Sequence, residues 1–457
     1  MNESTTLTTK QFTGCASLAA IGIKLREQQV FHPIEQTVQI AQKTIKDSPN
    51  DKLYDAFISL LAGAHGLVEI NTRLRADGAL QQAFGRSRCA EQSVVQDTLN
   101  ATTAENVEQM QQALETIYRQ QSQGYQHDYQ NRLQLLDVDM SGLPCGPKAA
   151  FATKGYFAKQ RNRRGRQLGR VLASHYGEIV VDRLFDGKTQ LTRALQPLLL
   201  AAEETLQLDE RKRSHTIVRV DAGGGSLNDV NWLLARGYLV HGKDYSGKQA
   251  KRLAQSVQNW CVDQGQSERE FGWVTEAADA YVRPVTRIAV RCRKSDGKFA
   301  YGVLISALSA QQVLTLTGQP LCLLEEPTAV LQAYVTFYDQ RGGGIETSFK
   351  SDKHGLGIGT RSKKRFEAQQ MVMLLGSLAH NVIVWARRWL ASPALHHYGS
   401  LRMVRDVFHI SGFLLLDARG DVRQIVLNQA APLASALVDP LRTLLLCAHV
   451  AVNLGQT

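Results

Sequence analysis

Acidic side chains stand at several points of this 457-residue sequence where they could act together. Asp137 and Asp139 are two residues apart in an alternating apolar segment, and this spacing puts both carboxylates on the same face of a β-strand. Asp221 ends a later apolar segment and is followed at once by Ala-Gly-Gly-Gly, and Glu346 lies near the start of a helical pattern that comes after three glycines. Carboxylates brought together repel each other unless cations neutralise them, and oxygen-only ligands suit Mg²⁺ or Mn²⁺.

The chemistry that such a group of acids supports is phosphoryl transfer. Two divalent ions held about 4 Å apart would activate an attacking oxygen and stabilise the leaving oxygen of a phosphodiester. The sequence leaves open which acid of the first pair is a ligand, since Asp137 and Asp139 lie on the same face. Glu325 and Glu326 are alternatives to Glu346, but they precede Pro327 and are typical of a solvated loop.

The elements that must position these acids can be read from hydrophobic periodicity. From residue 131 the predicted order is β-β-β-α-β-α-β, a mixed sheet with helices against it. The predicted strands cover 133–141, 169–175, 177–184, 215–221 and 237–242, and the predicted helices cover 192–208 and 228–236. The first and fourth strands of such a sheet are neighbours, so we expect Asp139 and Asp221 to meet at one edge. A helix laid across that edge would add Glu346.

Four segments of the chain differ in pattern. Residues 1–130 are mainly helical, 131–260 begin the α/β core, 261–309 are β-rich with an Asp-Gly hairpin signal, and 310–457 are mostly helical and complete the core. Within the first segment, residues 86–99 combine a short basic turn with a small polar helix. That combination is typical of a DNA-recognition helix and equally of a plain helical bundle.

The charge of the chain favours an anionic partner. Lys and Arg number 53 and Asp and Glu 42, a net charge of +11, and all of the excess lies beyond residue 136, since the residues before it are slightly acidic. Residues 140–177 hold eight basic residues and no acid, and a second basic cluster covers 350–365. Because two basic runs flank the predicted acids, they favour a surface that binds the phosphates of a nucleic acid over a charged surface that only contacts solvent.

Other classes of protein are disfavoured. The N-terminus lacks the basic start and apolar core of a signal peptide, and the longest uncharged apolar stretches, 371–386 and 443–455, are shorter than a membrane span. We therefore expect no membrane association and a cytoplasmic, nucleoid-associated protein. The seven cysteines are scattered and form no CxxC pair, which argues against a zinc ribbon or a disulfide framework.

Three stretches resemble a known family, the DDE transposases of bacterial insertion sequences. Asp139-Met-Ser141 is similar to the family's first Asp-x-Thr/Ser strand, and Val220-Asp221-Ala-Gly-Gly-Gly-Ser to its second aspartate block. Tyr338-Asp-Gln-Arg341, with Glu346 and Lys353, resembles its Tyr-Arg-Glu-Lys signature. The long separation of Asp221 and Glu346 is similar to the subgroup that carries a β-rich insertion there.

The resemblance implies an α/β fold with an RNase H-like mixed sheet flanked by helices, an N-terminal helical DNA-binding domain and a β-rich insertion. It implies that three acids hold two Mg²⁺ ions, or Mn²⁺ in their place, and that four other side chains bind DNA. The implied catalytic and metal-binding residues are Asp139, Asp221 and Glu346. The implied DNA-binding residues are Tyr338, Arg341, Lys350 and Lys353. Because the Asp-x-Ser pattern begins at Asp139, the resemblance favours Asp139 over Asp137.

The function implied is binding of the terminal inverted repeats of an insertion sequence, followed by strand cleavage and strand transfer. The partners would be the double-stranded DNA of the element ends and of the target, with a homodimer in the end complex because two ends must be joined. Two alternatives are a metal-dependent RNase H-like nuclease that cuts without joining, and a catalytically inactive DNA-binding derivative of a transposase.

Two features fit the resemblance less well. The family places three residues between the arginine and the glutamate, whereas four separate Arg341 from Glu346. The extra residue falls among the glycines at 342–344, which predict a turn. The glycines after Asp221 also suggest a dinucleotide-binding loop, but the third glycine of that motif is Asn228 here.

Overall fold

The structure is a computed structural model that describes residues 9–43, 46–155, 157 and 163–456. It divides into two units, each assembled from separated parts of the chain. The first unit contains Met1–Ser122, Leu143–Arg166 and Ser348–Thr457, and the second contains Gln123–Gly142 and Gln167–Thr347. All of the acids considered above, from Asp137 to Glu346, belong to the second unit.

The strands and helices are numbered in chain order. The strands are β1 (Thr9–Thr13), β2 (Gln134–Pro144), β3 (Thr153–Lys154), β4 (Arg164–Ala173), β5 (Glu178–Asp186), β6 (Thr216–Val220), β7 (Leu239–Lys243), β8 (Cys261–Val262), β9 (Arg269–Trp273), β10 (Thr286–Arg293), β11 (Phe299–Ser306), β12 (Gly412–Leu416), β13 (Val422–Asn428) and β14 (Ala451–Gly455). The α-helices are α1 (Ala16–Glu27), α2 (His32–Thr37), α3 (Pro49–Leu61), α4 (Gly78–Ala83), α5 (Gln92–Ala101), α6 (Ala104–Gln121), α7 (Leu191–Leu206), α8 (Glu210–Ser214), α9 (Leu227–Ala235), α10 (Gly247–Leu253), α11 (Ala310–Leu316), α12 (Pro327–Arg341), α13 (Thr347–Gly355), α14 (Phe366–Leu390), α15 (Ser400–Arg402) and α16 (Ala434–Leu444). Short π-helical segments cover Ile70–Leu74, Gly342–Glu346 and Met403–Phe408.

The second unit is built on a mixed sheet. Its strand order is β4-β2-β6-β7-β11-β10-β9-β8, with β5 paired to β4. Strands β2, β6 and β7 run parallel, whereas β7, β11, β10, β9 and β8 alternate in direction. The predicted mixed α/β fold is therefore confirmed, and so is the predicted pairing of the first and fourth strands. The segment predicted as a β-rich insertion extends the same sheet through the pairing of β11 with β7.

Helices α11 and α12 cover one face of this sheet. Apolar residues from six strands form a common core with the buried side of the two helices. The members of that core include Leu135, Ile217, Leu239, Ile288, Leu304, Val313, Val330, Tyr334 and Phe337. Each fully buried aliphatic or aromatic side chain contributes roughly 1.5–3 kcal/mol by leaving water, so this core holds α12 firmly on the sheet.

The first unit joins the two ends of the chain. Strand β1 pairs antiparallel with β12 in a four-stranded sheet of order β1-β12-β13-β14. The almost wholly buried helix α14 packs against α3, α5 and α6. Residues before Ser122 thus share a core with residues after Ser348, while the division of functions among the four predicted segments stays a prediction. Among the described residues, none of the helices combines the length and apolar character that a bilayer crossing requires.

Candidate active site

Strand β2 carries Asp137 and Asp139, which lie in different surroundings. Asp137 is fully buried and directly opposite Arg219 on β6. Arg219 donates from Nε to Oδ1 at 2.7 Å and from Nη2 to Oδ2 at 2.8 Å, and the hydroxyl of Ser174 also donates to Oδ2. A charge-assisted bidentate pair of this kind satisfies both oxygens. Both carboxylate oxygens of Asp137 are therefore already engaged within the protein.

Asp139 and Asp221 lie at the same end of the pairing between β2 and β6. The last residues through which β2 and β6 pair with each other are Val138 and Val220, and each aspartate comes directly after. Because the strands are parallel, the two chains emerge side by side. Oδ1 of Asp221 accepts a hydrogen bond from the backbone N–H of Gly223 at 2.8 Å, so Asp221 also caps the short helical turn Ala222–Gly224.

The pKa of Asp139 reflects its charged neighbours. The pKa of Asp139 is raised to about 6, mainly by burial; Arg341 opposes this rise, and the charges of Asp221 and Glu346 add to it. Oδ1 accepts from the N–H of Met140 at 2.7 Å, and Oδ2 lies 2.8 Å from Nη2 of Arg341. The three acids expected at one edge of the sheet are thus close enough to interact electrostatically.

Glu346 and Arg341 lie on either end of a π-helical segment. The predicted turn at 342–344 is wrong: Gly342–Glu346 is π-helical and continues α12 without a break. A π-helix bonds residue i to i+5 where an α-helix bonds i to i+4, so it absorbs one extra residue without rotating the helix beyond it. Nη1 of Arg341 consequently lies 3.3 Å from Oε1 of Glu346. A Cβ at Gly344 would lie 3.1 Å from Oδ2 of Asp137, so glycine lets this segment approach β2 closely.

Arg341 is the cation that the acids share. Its side chain is only 4% exposed and also donates to the carbonyl of Val138 at 3.4 Å. Burial lowers the pKa of Arg341, but Asp139, Asp221 and Asp137 raise it by more, and the guanidinium stays charged. Its Nε has no acceptor among the described residues. The arginine is therefore held by two carboxylates, while its buried Nε makes no hydrogen bond within the described residues.

Tyr338 lies one turn before Arg341 on α12. Burial raises its pKa to about 12; Arg341 lowers it, and Asp221, Glu346 and Asp139 raise it. The phenol is neutral at ordinary pH and lies within reach of the charges of the three acids, while its predicted contact with DNA stays a prediction. Its ring also lies 6.2 Å from that of His241, centroid to centroid.

Lys350 and Lys353 belong to a different part of the structure. Both lie on α13, which from Ser348 onward is part of the first unit. Lys350 is exposed and Lys353 is half-buried. Their expected contact with DNA near the acids stays a prediction.

The acids suit divalent cations in donor type and in charge. Asp139, Asp221 and Glu346 supply carboxylate oxygens only, which are the ligands that Mg²⁺ and Mn²⁺ prefer. Three carboxylates face one guanidinium, so the group keeps an excess of negative charge. In the described part of the chain, no three His, Cys, Asp or Glu side chains already lie at the spacing of a metal site. Arg341 instead occupies the space between Asp139 and Glu346.

Many of the predicted phosphate-binding bases are used inside the first unit. Buried Arg361 donates to the carbonyl of Ala64, Arg365 donates to that of Thr102 at 3.2 Å, and Lys363 donates to the side-chain amide oxygen of Gln96 at 2.7 Å. Basic groups near helix C-termini stabilise the unpaired carbonyls there. Arg166 is buried too, and the exposed bases of the first run are Lys148, Lys154, Arg163 and Arg164. Lys159 and Arg161 lie outside the described residues.

The basic turn at residue 86 is also internal. Arg86 donates to Asp51, and its Nε donates to Oδ1 of fully buried Asp55 at 3.0 Å. The next helix, α5, buries Val95 and Leu99. Arg86 is therefore committed to an ion-pair cluster rather than presented to DNA.

The glycines after Asp221 serve packing. A Cβ at Gly225 would lie 1.7 Å from the carbonyl oxygen of Lys243, which no structure tolerates, so the loop is pressed against the end of β7. The next helix, α9, is capped by Ser226, whose hydroxyl accepts from the N–H of Asp229. Close backbone approach explains the glycine run without a dinucleotide.

Sequence reasoning missed Arg219, Ser174 and His241. Arg219 was visible in principle, because it is the single charge in the apolar strand β6 and a buried charge needs a partner. His241 gives no such signal. It is buried on β7, and its pKa is lowered to about 3 by burial and by the charge of Arg219.

Comparison with known proteins supplies the family. The model of the family described as "Transposase DDE domain" matches residues 130–382, more than half of the chain. A solved structure described as "Cryo-EM structure of piggyBac transposase synaptic complex with hairpin DNA" is similar with a TM-score of 0.45 and 12% sequence identity, covering 95% of this chain and 84% of that one. No curated protein matches. On the strength of the family match, which spans the segment bearing all three acids, the chain belongs to the transposases with a DDE domain.

Proposed function

We propose that this transposase binds the terminal inverted repeats of a bacterial insertion sequence and catalyses metal-dependent strand cleavage and strand transfer. The observation that carries the proposal is the group formed by Asp139, Asp221 and Glu346 around Arg341, in which three acids face one base. These are the residues that the resemblance to the Tyr-Arg-Glu-Lys type of DDE transposase implies as catalytic.

The three acids would hold the metal ions through their carboxylate oxygens. When bound, two Mg²⁺ ions, or Mn²⁺, supply activation of the attacking oxygen and stabilisation of the leaving one. The chain itself contributes the positions of the acids. Asp139 and Asp221 come directly after the last residues through which the parallel strands β2 and β6 pair, and Glu346 lies on the helix that continues α12.

Arg341 and Tyr338 would position the scissile phosphate. A guanidinium binds a phosphate through two parallel N–H···O bonds, and Arg341 keeps an Nε without an acceptor in the described part of the chain. The neutral phenol of Tyr338 can donate to a phosphate oxygen. Lys350 and Lys353 would contact phosphates of the same DNA end as point charges.

The reaction proposed is two in-line displacements at phosphorus. Water first breaks a phosphodiester at the element end and frees a 3′-hydroxyl. That hydroxyl then attacks a target phosphodiester, so that one new phosphodiester forms for each that breaks and the leaving oxygen takes up a proton. The chain needs no covalent link to DNA. Residues 1–130 would recognise the ends, and a homodimer would hold two ends together. A DNA partner of this kind implies a cytoplasmic, nucleoid-associated location.

The experiment that tests the proposal uses the full-length protein and the DNA that flanks its reading frame. We expect Mg²⁺ or Mn²⁺ to support nicking at the repeat ends and joining of the freed 3′ ends to a target plasmid. EDTA and a scrambled repeat are the controls. Cleavage without joining would identify a nuclease instead, and binding without either reaction in both metals would identify an inactive derivative.

A further inference from the structure

A row of polar side chains crosses four strands of the sheet in the second unit. Asp137 on β2 lies opposite Arg219 on β6, Arg219 opposite His241 on β7, and His241 opposite Ser306 on β11. All four are buried, with exposed fractions of 2% or less. Apolar residues of similar volume in place of a buried ion pair are often neutral or stabilising, so stability alone does not account for this row.

The row holds helix α12 by its backbone. Nη1 of Arg219 donates to the carbonyl oxygen of Phe337 at 2.7 Å, and the guanidinium carbon lies 4.7 Å from the centroid of the Phe337 ring. The ring of His241 lies 5.1 Å from the same phenyl ring, and its Nδ1 is hydrogen-bonded to Ser306 at 3.0 Å. Phe337 is one helical turn before Arg341.

The other end of the row is the strand that carries Asp139. Asp137 is two residues before Asp139 and anchors Arg219 through both carboxylate oxygens. It also lies beneath Gly344 of the π-helical segment, where a Cβ would come within 3.1 Å of its Oδ2. One ion pair therefore links the strand that carries Asp139 to the helix that carries Arg341 and Glu346.

We propose that Asp137 and Arg219 are positioning residues that fix α12 on the sheet so that Arg341 and Glu346 face Asp139. This inference rests on the proposed function, because the positioning matters only if those residues act on DNA. A displacement of about 1 Å in a catalytic group can cost about 100-fold in rate, and directional hydrogen bonds fix the position of α12 more narrowly than apolar packing alone.

The test is the double variant Asp137→Leu/Arg219→Met, which removes both charges together and leaves no unpaired one. We expect wild-type or higher resistance to denaturant, faster hydrogen exchange of the amides of residues 338–346, and cleavage of element ends slowed about 10- to 100-fold. The Mn²⁺ concentration for half-maximal cleavage should rise as well, because Asp139 and Glu346 no longer keep a constant separation.

A matched control is available in the same unit. Arg170 and Asp182 form an equally buried bidentate pair between β4 and β5, with both N···O distances at 2.8 Å. The variant Arg170→Met/Asp182→Leu should leave exchange in residues 338–346 and the cleavage rate unchanged. Equal effects of the two double variants would mean that any buried ion pair matters in the same way, and the inference would be overturned.

The variant Arg219→Lys decides the case if the double variant does not fold. It keeps a positive charge beside Asp137, but an ammonium group lacks the planar set of donors that lets a guanidinium bind Asp137 and the Phe337 carbonyl at the same time. Slower cleavage and faster exchange in residues 338–346 support the inference, and wild-type values of both contradict it. Hydrogen exchange is measured without DNA, so it tests the positioning role even if the wild-type protein cleaves no DNA. Absence of cleavage by the wild-type protein would refute only the proposed function.

Discussion

The second unit contains two groups in which arginine meets acid, and they behave differently. In the inner group Asp137 and Arg219 pair one to one, with both side chains 2% exposed or less. In the outer group Arg341 faces three acids, and exposure rises to 16% for Asp139 and 60% for Glu346. The inner group is neutral and closed, whereas the outer group is negative and open to ligands.

The difference arises within three residues of one strand. Asp137 lies where β6 still runs alongside and supplies Arg219 as its cross-strand neighbour. Asp139 comes after the last residue that pairs with β6, and the groups next to its carboxylate are the N–H of Met140 and the guanidinium of Arg341. Residue type and face are the same for the two aspartates. What separates the structural role of Asp137 from the proposed catalytic role of Asp139 is whether the charge is already balanced.

The largest expected effect comes from neutralising the outer group. Asp139→Asn, Asp221→Asn and Glu346→Gln should each abolish cleavage of element ends while leaving DNA affinity nearly unchanged, because an amide keeps the shape but not the charge that holds cations. Cleavage assays and gel shifts on the same preparations measure both. If Asp139→Asn cleaves normally and Asp137→Asn does not, the assignment of the two aspartates is reversed.

Neutralising the inner group should instead affect stability. Asp137→Asn leaves the buried guanidinium of Arg219 uncompensated, and breaking a buried pair in this way costs about 3–5 kcal/mol in the free energy of unfolding. Asp139→Asn should cost far less, since that carboxylate is buried at a penalty. Urea denaturation of both variants in EDTA makes the comparison, and equal stabilities would contradict it.

The pH dependence of stability should distinguish the groups as well. Burial raises the pKa of Asp139 to about 6, so the folded protein binds that proton more tightly than the unfolded chain does. The free energy of unfolding should therefore rise, relative to Asp139→Asn, as pH falls from 7 towards 4, by about 3 kcal/mol at most. A difference between the two proteins that stays constant across this range, measured in EDTA, would contradict the assigned environment.

Removing the shared cation should weaken DNA binding. Arg341→Ala should weaken assembly on pre-cut element ends by about 1–3 kcal/mol, since a charge-assisted contact to phosphate is lost. Lys353→Ala should weaken it less, because a lysine binds as a point charge. Gel shifts across a salt titration measure both, and wild-type affinity and salt slope for Arg341→Ala would show that the guanidinium stays with the acids when DNA binds.

The smallest effect is expected from shortening the π-helical segment. Deleting Gly343 should convert it to α-helix with Arg341 and Glu346 four residues apart and still on one face, so cleavage should stay close to wild type. Deleting Gly342 and Gly343 together is the control. That change rotates Glu346 by about 100° and should abolish cleavage. Loss of activity in the single deletion would show that the π-helical geometry itself is required.

The structure also changes what a truncation can show. Deleting residues 1–130 would separate end recognition from catalysis only if that segment folded by itself, but β1 pairs with β12, and α3, α5 and α6 cover α14. Their removal would expose the apolar side of α14 and leave β12 at an open edge. Point substitutions at Lys148, Lys154, Arg163 and Arg164 are the better test of DNA contacts.

Local pattern determined the framework of the site. Alternating apolar residues predicted β2, β6 and β7 to within a few residues, and the order of strands and helices predicted that β2 and β6 pair. Because paired parallel strands end at the same edge, the sequence alone was enough to bring Asp139 and Asp221 together. Hydrophobic periodicity predicts strands and helices because each of these elements depends on residues only two to four positions apart in the sequence.

Only the tertiary structure decided how each charge is used. Arg219 and Asp137 are 82 residues apart and Arg361 and Ala64 are 297 apart, so no local pattern announces that these charges are neutralised internally. The glycines at 342–344 predict a turn because glycine is a weak helix former, yet packing of α12 on the sheet and the close approach of Gly344 to Asp137 hold them in a π-helix. Burial free energy gathered over the whole sheet outweighs a local preference of about 1 kcal/mol per glycine.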